Sequence, residues 1–510
     1  MEYQKENVNI LKNVSKTSQS KNYEWDIIVP DSKPDIATIV STDGLVNITG
    51  KEIMQDRVVI DGNVKITVLY ISSDETKSIK CIENIQNFNC VLELKDLRQN
   101  MELNIYAFIN KISSNMLNSR KINVESIIDF HGTAYDNKEI SYIEKIDEEK
   151  IEYKTKEIKT ERLTSCFENH FTFNENIEVP LGKSSINEIL KIKPEFLVKD
   201  IKCSNNKIVL RGELCFSTVY LSETDDDPIQ FMTNEIPINE IIDWKDISED
   251  SIFDYDIFIN NFNYILRDNS DGEKRIVKVC GDVSVKGRTY EELLICPVVD
   301  AYSLKNNLNL QKSMYDYEEI LNRLSGQFSL KETVSFNNSK DIQKVLHIEM
   351  NEDVDSVTMT SGTIKIRGNI AVSTLYLSTD GEICMAKSLV PLEYNVNTDV
   401  DSSEALCDFK LQIDTYSYNI VSSDEINLRI NLSYKIIIKK HISQEIVQSI
   451  ECDNSSCNCD KHGITVFFCD GNENLWDIAK KYKTTVNDIA LANELDDSVI
   501  VKKGMKLLIP

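Results

Sequence analysis

The stretch Val58-Val-Ile-Asp-Gly-Asn-Val-Lys-Ile-Thr-Val-Leu-Tyr-Ile-Ser72 decides the fold of this chain. From Gly62 onward every second residue is apolar or aromatic, the period of a strand with one buried face. The same pattern returns at 208–222 and at 364–378, each time with a tyrosine eight residues after the glycine. The chain therefore contains three copies of one β-rich unit.

A second marker precedes each of these strands. A lysine (Lys33, Lys183 or Lys340) lies 28 or 29 residues before the glycine and is followed by apolar residues at i, i+3 and i+4. These apolar residues are Ile36, Ile39 and Val40 in the first copy, Ile186, Ile189 and Leu190 in the second, and Ile342, Val345 and Leu346 in the third. The spacing predicts a short helix in each unit, and Ser185 with Glu188 forms a capping box in the second.

A sheet with one apolar face needs a second layer to cover it, so each unit is predicted to be a β-sandwich-like domain. Units of about 150 residues are too long for solenoid repeats, which indicates three domains in series. The predicted fold is mainly β, with a small βααβ domain at the end. The expected boundaries are a flexible N-terminal segment at 1–22, repeats at 23–163, 164–324 and 325–451, a cysteine-containing linker at 452–461, and the βααβ domain at 462–510.

The pattern of the C-terminal segment 464–510 predicts the order strand, helix, helix, strand. Asn474 and Thr485 each precede an acidic residue by three positions, the spacing of a helix N-cap. Leu475 and the apolar residues at i+3, i+4 and i+7 from it form the core-facing stripe of the first helix.

Composition restricts the partners. The formal net charge is -26 and the pI is about 4.7, which disfavours nucleic acid and anionic lipid as partners. No run of about 18 apolar residues occurs, so no membrane insertion is expected. The N-terminus has no signal-peptide pattern, and the 13 cysteines are expected to be reduced, so the protein is expected to be cytoplasmic.

The sequence offers little for catalysis. His131, His170, His347 and His441 are scattered and belong to no nucleophile or metal motif, and Asp225-Asp-Asp227 is expected to be a solvated turn. We therefore expect no enzyme activity and no cofactor. One cluster has metal-ligand chemistry: Cys452, Cys457, Cys459 and His462 could hold zinc, although a polar linker with incidental thiols is the favoured interpretation.

Residues 464–510, with Leu475-Trp476 opening the first helix, resemble a LysM module. Together with the Gly-to-Tyr strands and Val29-Pro-Asp-Ser-Lys-Pro-Asp-Ile36, they resemble the SPOCS-domain spore proteins of endospore-forming Firmicutes. The resemblance implies a non-enzymatic spore coat adaptor in the mother-cell cytoplasm, at the outer surface of the forespore. Its LysM module would bind the polymer-forming coat ATPase, stage IV sporulation protein A, and its repeats would scaffold coat proteins.

The resemblance also implies the partner-binding residues. These are Ile464, Asn472, Glu473, Asn474, Leu475, Trp476, Asn493 and Asp496. For Ile464 a place in the core of the domain is favoured over partner contact, and Asn493 is expected first to be the C-cap of the second helix. Trp476 either closes the small core or anchors the interface, because tryptophan is common in both settings. The Gly-Asp-Thr usual before Leu-Trp in LysM modules is replaced by residues 472–474, which favours a protein over a sugar. The alternative is a module that binds the N-acetylglucosamine chains of cell wall or cortex peptidoglycan.

Overall fold

The computed structural model describes residues 2–75, 77–224, 228–245, 247–249, 251–336, 340–401, 404–453, 465–471, 473–495 and 501–510. Three six-stranded β units are followed by a small α/β domain. Within the described ranges, no helix is long and apolar enough to cross a membrane.

The first unit contains six long strands: β1 (Tyr3–Ile28), β2 (Ile36–Met54), β3 (Arg57–Ser72), β4 (Ile79–Glu93), β5 (Glu102–Asn118) and β6 (Lys121–Ile146). They form two antiparallel sheets, ordered β1-β6-β5 and β2-β3-β4. Buried side chains from both sheets, among them Ile27, Ile66 and Phe130, share one apolar core. Two sheets around one core form a β-sandwich.

The other two units repeat this plan. After β7 (Ile151–Thr155), the second unit contains β8 (Ile158–Glu178), β9 (Ile186–Ser204), β10 (Lys207–Ser222), β11 (Ile229–Asp243), β12 (Ile252–Asp268) and β13 (Lys274–Ile295). After β14 (Val298–Ser303), the third contains β15 (Asn307–Ser335), β16 (Ile342–Thr360), β17 (Thr363–Ser378), β18 (Ile383–Asn397), β19 (Ala405–Ile420) and β20 (Glu425–Asp453). The predicted mainly β fold with three sandwich-like repeats is confirmed.

The Gly-to-Tyr strands β3, β10 and β17 are the central strands of their sheets. A Cβ on Gly62 would lie 2.5 Å from the carbonyl oxygen of Asn47 on the neighbouring strand, so the close approach of the two backbones requires glycine. Tyr70 is fully buried, and its hydroxyl donates to the carbonyl of Pro34 at 2.9 Å. Tyr220 and Tyr376 make the same bond to carbonyls 36 residues upstream. A tyrosine in the core of each repeat therefore fixes the segment that leads into β2, β9 or β16.

The prediction of a short helix in each repeat is wrong, because residues 36–54 and their counterparts form strands β2, β9 and β16. β-Bulges at equivalent positions of the three strands explain the misleading spacing. Each bulge adds one residue and resets the alternation of side chains. Ile36 and Ile39 thus both face the core of their own sandwich, whereas Val40 points to a different cluster.

That second cluster lies where the three repeats meet. Its buried members come from equivalent positions, with Leu69, Val219 and Leu375 from the central strands and Leu190 and Leu346 from the bulged strands. Val40 packs against it as the first-repeat counterpart. The three sandwiches therefore surround a pseudo-threefold axis with an apolar centre.

A charged layer lies beside this apolar centre. The Lys191 ammonium contacts the carboxylates of Asp43 at 2.7 Å and Glu349 at 2.9 Å, so all three repeats take part. Lys193 contacts Glu349 at 3.1 Å. Burial raises the pKa of Glu349, but the two lysines outweigh it and hold the pKa well below its usual range. Burial, with Lys191 nearby, lowers the pKa of His347 to about 4.

The Val-Pro-Asp segment at 29–36 is held by an arginine that the sequence analysis did not single out. The Arg120 guanidinium donates to the carbonyls of Val29 at 3.1 Å and Lys33 at 2.9 Å. In the second repeat, Arg275 donates to the carbonyls of Val179 and Pro180. This segment is thus a clamped turn between the two sheets.

The expectation of a flexible segment at 1–22 is wrong for residues 3–22, which belong to β1 and pair with β6 along its whole length. The segment is polar because most of its side chains are outside the core, while backbone hydrogen bonds to β6 hold it in place. The boundaries expected at 163/164 and 324/325 fall inside β8 and β15.

The long strands extend beyond the sandwiches and meet again in a second three-way cluster. Its buried residues are Tyr142, Ile158, Ile295, Tyr315, Tyr317 and Ile446. Next to it, the connecting strands β7 and β14 pair antiparallel. Val298 and Ala301 of β14 pack there on Ile146 and Ile450. The strand β14 is therefore fixed against two repeats, and its residues Asp300 and Tyr302 contact the C-terminal domain.

Candidate partner-binding site

The C-terminal domain has the predicted βααβ order. It consists of β21 (Thr465–Phe468), α1 (Leu475–Tyr482), α2 (Val486–Ala492) and β22 (Lys506–Ile509), with β21 and β22 antiparallel. The predicted caps are present: the Asn474 side chain accepts from the Asp477 N–H at 2.8 Å, and Thr485 accepts from the Asp488 N–H at 2.9 Å. Leu475 is buried in the core of the domain.

Three residues expected to contact a partner have structural tasks in the domain. Asn474 caps α1. Glu473 accepts the N–H groups of Asp470 and Gly471, both at 3.1 Å, and so closes the loop before α1. The Asn493 side chain donates to the Ile489 and Leu508 carbonyls and accepts from the Leu508 N–H, which ties α2 to β22. Ile464, Asn472 and Asp496 lie outside the described residues.

Trp476 is half-buried, and it contacts residues of the connecting strand β14. Its indole N–H donates to the Asp300 carboxylate at 2.9 Å, and the Lys480 ammonium contacts both oxygens of that carboxylate at 2.6 and 2.7 Å. The Tyr302 ring meets the Trp476 ring edge-on, with centroids 5.0 Å apart. The residue expected to bind an external protein thus packs on β14 of the same chain.

The electrostatics of this contact favour the ionised form of Asp300. Burial raises the pKa of its carboxyl, but hydrogen bonds from Lys480 and Trp476 and the positive charges nearby outweigh burial and lower the pKa below its usual value. Tyr302 is buried, which raises its pKa, and its hydroxyl donates to the Thr484 carbonyl at 2.7 Å. We call Trp476, Lys480, Asp300 and Tyr302 the docking contact.

Sequence reasoning missed Asp300 and Tyr302. They lie in a short connecting strand outside the repeated pattern, and nothing local in the sequence pairs them with a helix about 175 residues later. The available signal was modest: an apolar run, Val298-Val299, next to a carboxylate and a tyrosine.

The C-terminal domain also carries apolar side chains that the repeats leave exposed. Val466 and Leu508 are paired across β21 and β22, and Phe468 lies two residues along on the same face. Phe468 is 63% exposed and Leu491, on α2, is 70% exposed. The Lys506 ammonium lies 5.4 Å from the centre of the Phe468 ring. Exposed apolar residues with a basic neighbour are typical of surfaces that bind proteins.

The cysteine and histidine cluster that could hold zinc falls largely outside the described part of the chain. Cys457, Cys459 and His462 are not described, and Cys452 is an exposed free thiol at the end of β20.

The architecture defines a class: a repeat-built β-protein that carries a small LysM-like βααβ domain at one end of its long strands. Residues 35–117, 185–267 and 341–421 match the SipL, SPOCS domain family, and residues 472–510 match the LysM domain family. This chain therefore contains three SPOCS domains of the SipL type and a C-terminal LysM domain.

Both matched families are non-catalytic binding or adaptor domains, and the SipL family connects the chain to sporulation and the spore coat. Each SPOCS match covers the bulged strand, the two strands that follow it and one strand of the other sheet, namely β5, β12 or β19. No curated protein and no solved structure shows significant similarity to the chain.

Proposed function

We propose that this protein is a non-enzymatic adaptor of spore coat assembly. Its three SPOCS repeats form a rigid body that presents surfaces to coat proteins, and its LysM domain binds a protein partner. The partner we propose is the coat ATPase, stage IV sporulation protein A, at the outer surface of the forespore in the mother-cell cytoplasm.

The observation that carries this proposal is the surface of the LysM domain. Phe468, Leu491, Val466 and Leu508 are exposed apolar residues, which a protein interface can bury. The polar side chains of Glu473 and Asn493, by contrast, are engaged in hydrogen bonds within the domain. A sugar chain is recognised through polar groups, so these commitments favour a protein over peptidoglycan.

The test uses the full chain, because Tyr302 of β14 and Leu304 just after it complete the apolar core of the LysM domain. Binding to the purified coat ATPase is measured by titration, and binding to insoluble peptidoglycan by co-sedimentation. We expect binding to the ATPase and none to peptidoglycan. The substitution Phe468→Ser should weaken ATPase binding about fivefold or more, since truncating an interface anchor typically costs more than about 1 kcal/mol.

The matched control is Phe108→Ser, which alters another exposed phenylalanine, in this case on β5 of the first repeat. It should leave ATPase binding unchanged. Binding to peptidoglycan alone would refute the adaptor proposal and support attachment to cortex or wall.

A further inference from the structure

We propose that the docking contact is an autoinhibited state of the LysM domain. In this state β14 occupies the Trp476 face of α1, and an external partner that uses this face must first displace Asp300 and Tyr302. The inference rests on the proposed function, because it concerns regulation of the same LysM domain.

A partner and β14 would compete for Trp476, because its side chain has few groups with which to bind. An indole has one N–H donor, and the Asp300 carboxylate already accepts it. The same carboxylate accepts Lys480, which lies one helical turn further along the same face of α1. The Trp476 ring also packs against the Tyr302 ring, with an angle of 72° between the two ring planes. A partner therefore cannot engage this face while the docking contact is intact.

The contact continues past the end of α1. The Tyr302 hydroxyl donates to the Thr484 carbonyl at 2.7 Å, and the Lys483 ammonium contacts the Asn307 side chain at 2.9 Å. The residues outside the LysM domain that make these contacts all lie between Asp300 and Asn307. The exposed Phe468 and Leu508 take no part in them. A partner can therefore meet the exposed residues first and reach Trp476 only after undocking.

The polar part of the contact is suited to release. The Asp300–Lys480 ion pair is partly exposed, with 19% and 40% of the two side chains accessible, and ion pairs in such settings are modest in strength. Because the domain remains joined to the repeats, it returns to β14 when a partner leaves. Apparent affinity for the partner is reduced by the fraction of molecules that are undocked.

The experiment compares the full-length wild type with Asp300→Ala, which removes the acceptor but leaves Trp476 intact. Hydrogen exchange measured by mass spectrometry over 298–306 and 475–484 reports docking without any partner. Titration with the coat ATPase then reports competition. The matched control is Asp408→Ala, which removes an aspartate paired with Lys439 on the third repeat at 2.8 Å.

We expect faster exchange in both segments of Asp300→Ala and about tenfold tighter binding to the ATPase, with neither change in Asp408→Ala. Unchanged hydrogen exchange in Asp300→Ala would refute the proposal that the docking contact holds the LysM domain on β14. Faster exchange with unchanged affinity would refute autoinhibition and leave the proposed function intact. No ATPase binding by either protein would refute the proposed function together with its regulation.

Discussion

Replacing Lys191 by methionine tests whether the charged layer holds the three repeats together. Only 10% of the Lys191 side chain is accessible, and it contacts Asp43 at 2.7 Å and Glu349 at 2.9 Å. Glu349 keeps Lys193 at 3.1 Å after the substitution, whereas Asp43 loses its ion-pair partner. Leaving one buried charge unpaired costs about 3–5 kcal/mol. Because Asp43 is partly accessible, we expect a loss of about 3 kcal/mol in the free energy of unfolding.

The measurement is urea denaturation at neutral pH, followed by circular dichroism. The matched control is Lys199→Met, since Lys199 is exposed and pairs with Glu213 on its own repeat at 2.9 Å. It should behave as wild type. The double variant Lys191→Met/Asp43→Asn removes both charges and should recover part of the lost stability. If Lys191→Met alone unfolds at the wild-type urea concentration, the layer does not hold the repeats together and our reasoning is wrong.

Three further predictions concern the repeats. Gly212→Ala should lower the free energy of unfolding by about 1–3 kcal/mol, because the new Cβ would lie 2.6 Å from the Leu197 carbonyl oxygen. The control Gly182→Ala should leave the free energy of unfolding unchanged, because there is open space around Gly182. Tyr70→Phe should lower the free energy of unfolding by about 1 kcal/mol in the same urea assay, because the partly buried carbonyl of Pro34 loses its donor. An unchanged midpoint would contradict this. The pKa of His347 is about 4 in the folded protein and about 6.5 in the unfolded chain. Between these two pH values the unfolded chain binds more protons than the folded protein. The free energy of unfolding should therefore fall by up to about 3 kcal/mol as the pH decreases from 6.5 to 4. His347→Gln should flatten this part of the stability profile, and an unaltered profile would exclude His347 as its source.

The sequence predicted the elements whose signal is local. The alternation after Gly62 identified the central strand, and the caps at Asn474 and Thr485 placed both helices of the LysM domain correctly. These signals depend on side chains within a few residues of one another. The alternation of apolar residues and the helix N-caps therefore predicted secondary structure correctly.

The sequence misled where a tertiary contact overrides local spacing. The spacing of Ile36, Ile39 and Val40 is helical, yet these residues lie on strand β2. Its bulges direct Ile36 and Ile39 into the core of the sandwich and Val40 into the cluster between the repeats. A bulge depends on the partner strand, which single-sequence periodicity does not contain. The polar segment 3–22 is a strand for a similar reason, because its pairing with β6 comes from more than 100 residues away.

The candidate site shows the same division. Leu475 was correctly placed in the first helix of the LysM domain, but its neighbour Trp476 contacts residues that belong to none of the repeats. Sequence reasoning left Trp476 open between a core role and an interface role. The structure shows a half-buried residue at an internal interface, and a role towards an external partner stays a proposal.

The charged layer requires three repeats that differ from one another, which fusion in one chain permits. In a homotrimer, any residue on the axis would occur three times, and three lysines at one level would repel one another. Here the equivalent positions are Ser41, Lys191 and His347, so the fused copies could diverge until one cation met two carboxylates. Fusion also sets the stoichiometry. Three sandwiches share a single LysM domain, whereas a homotrimer of one-repeat chains would display three.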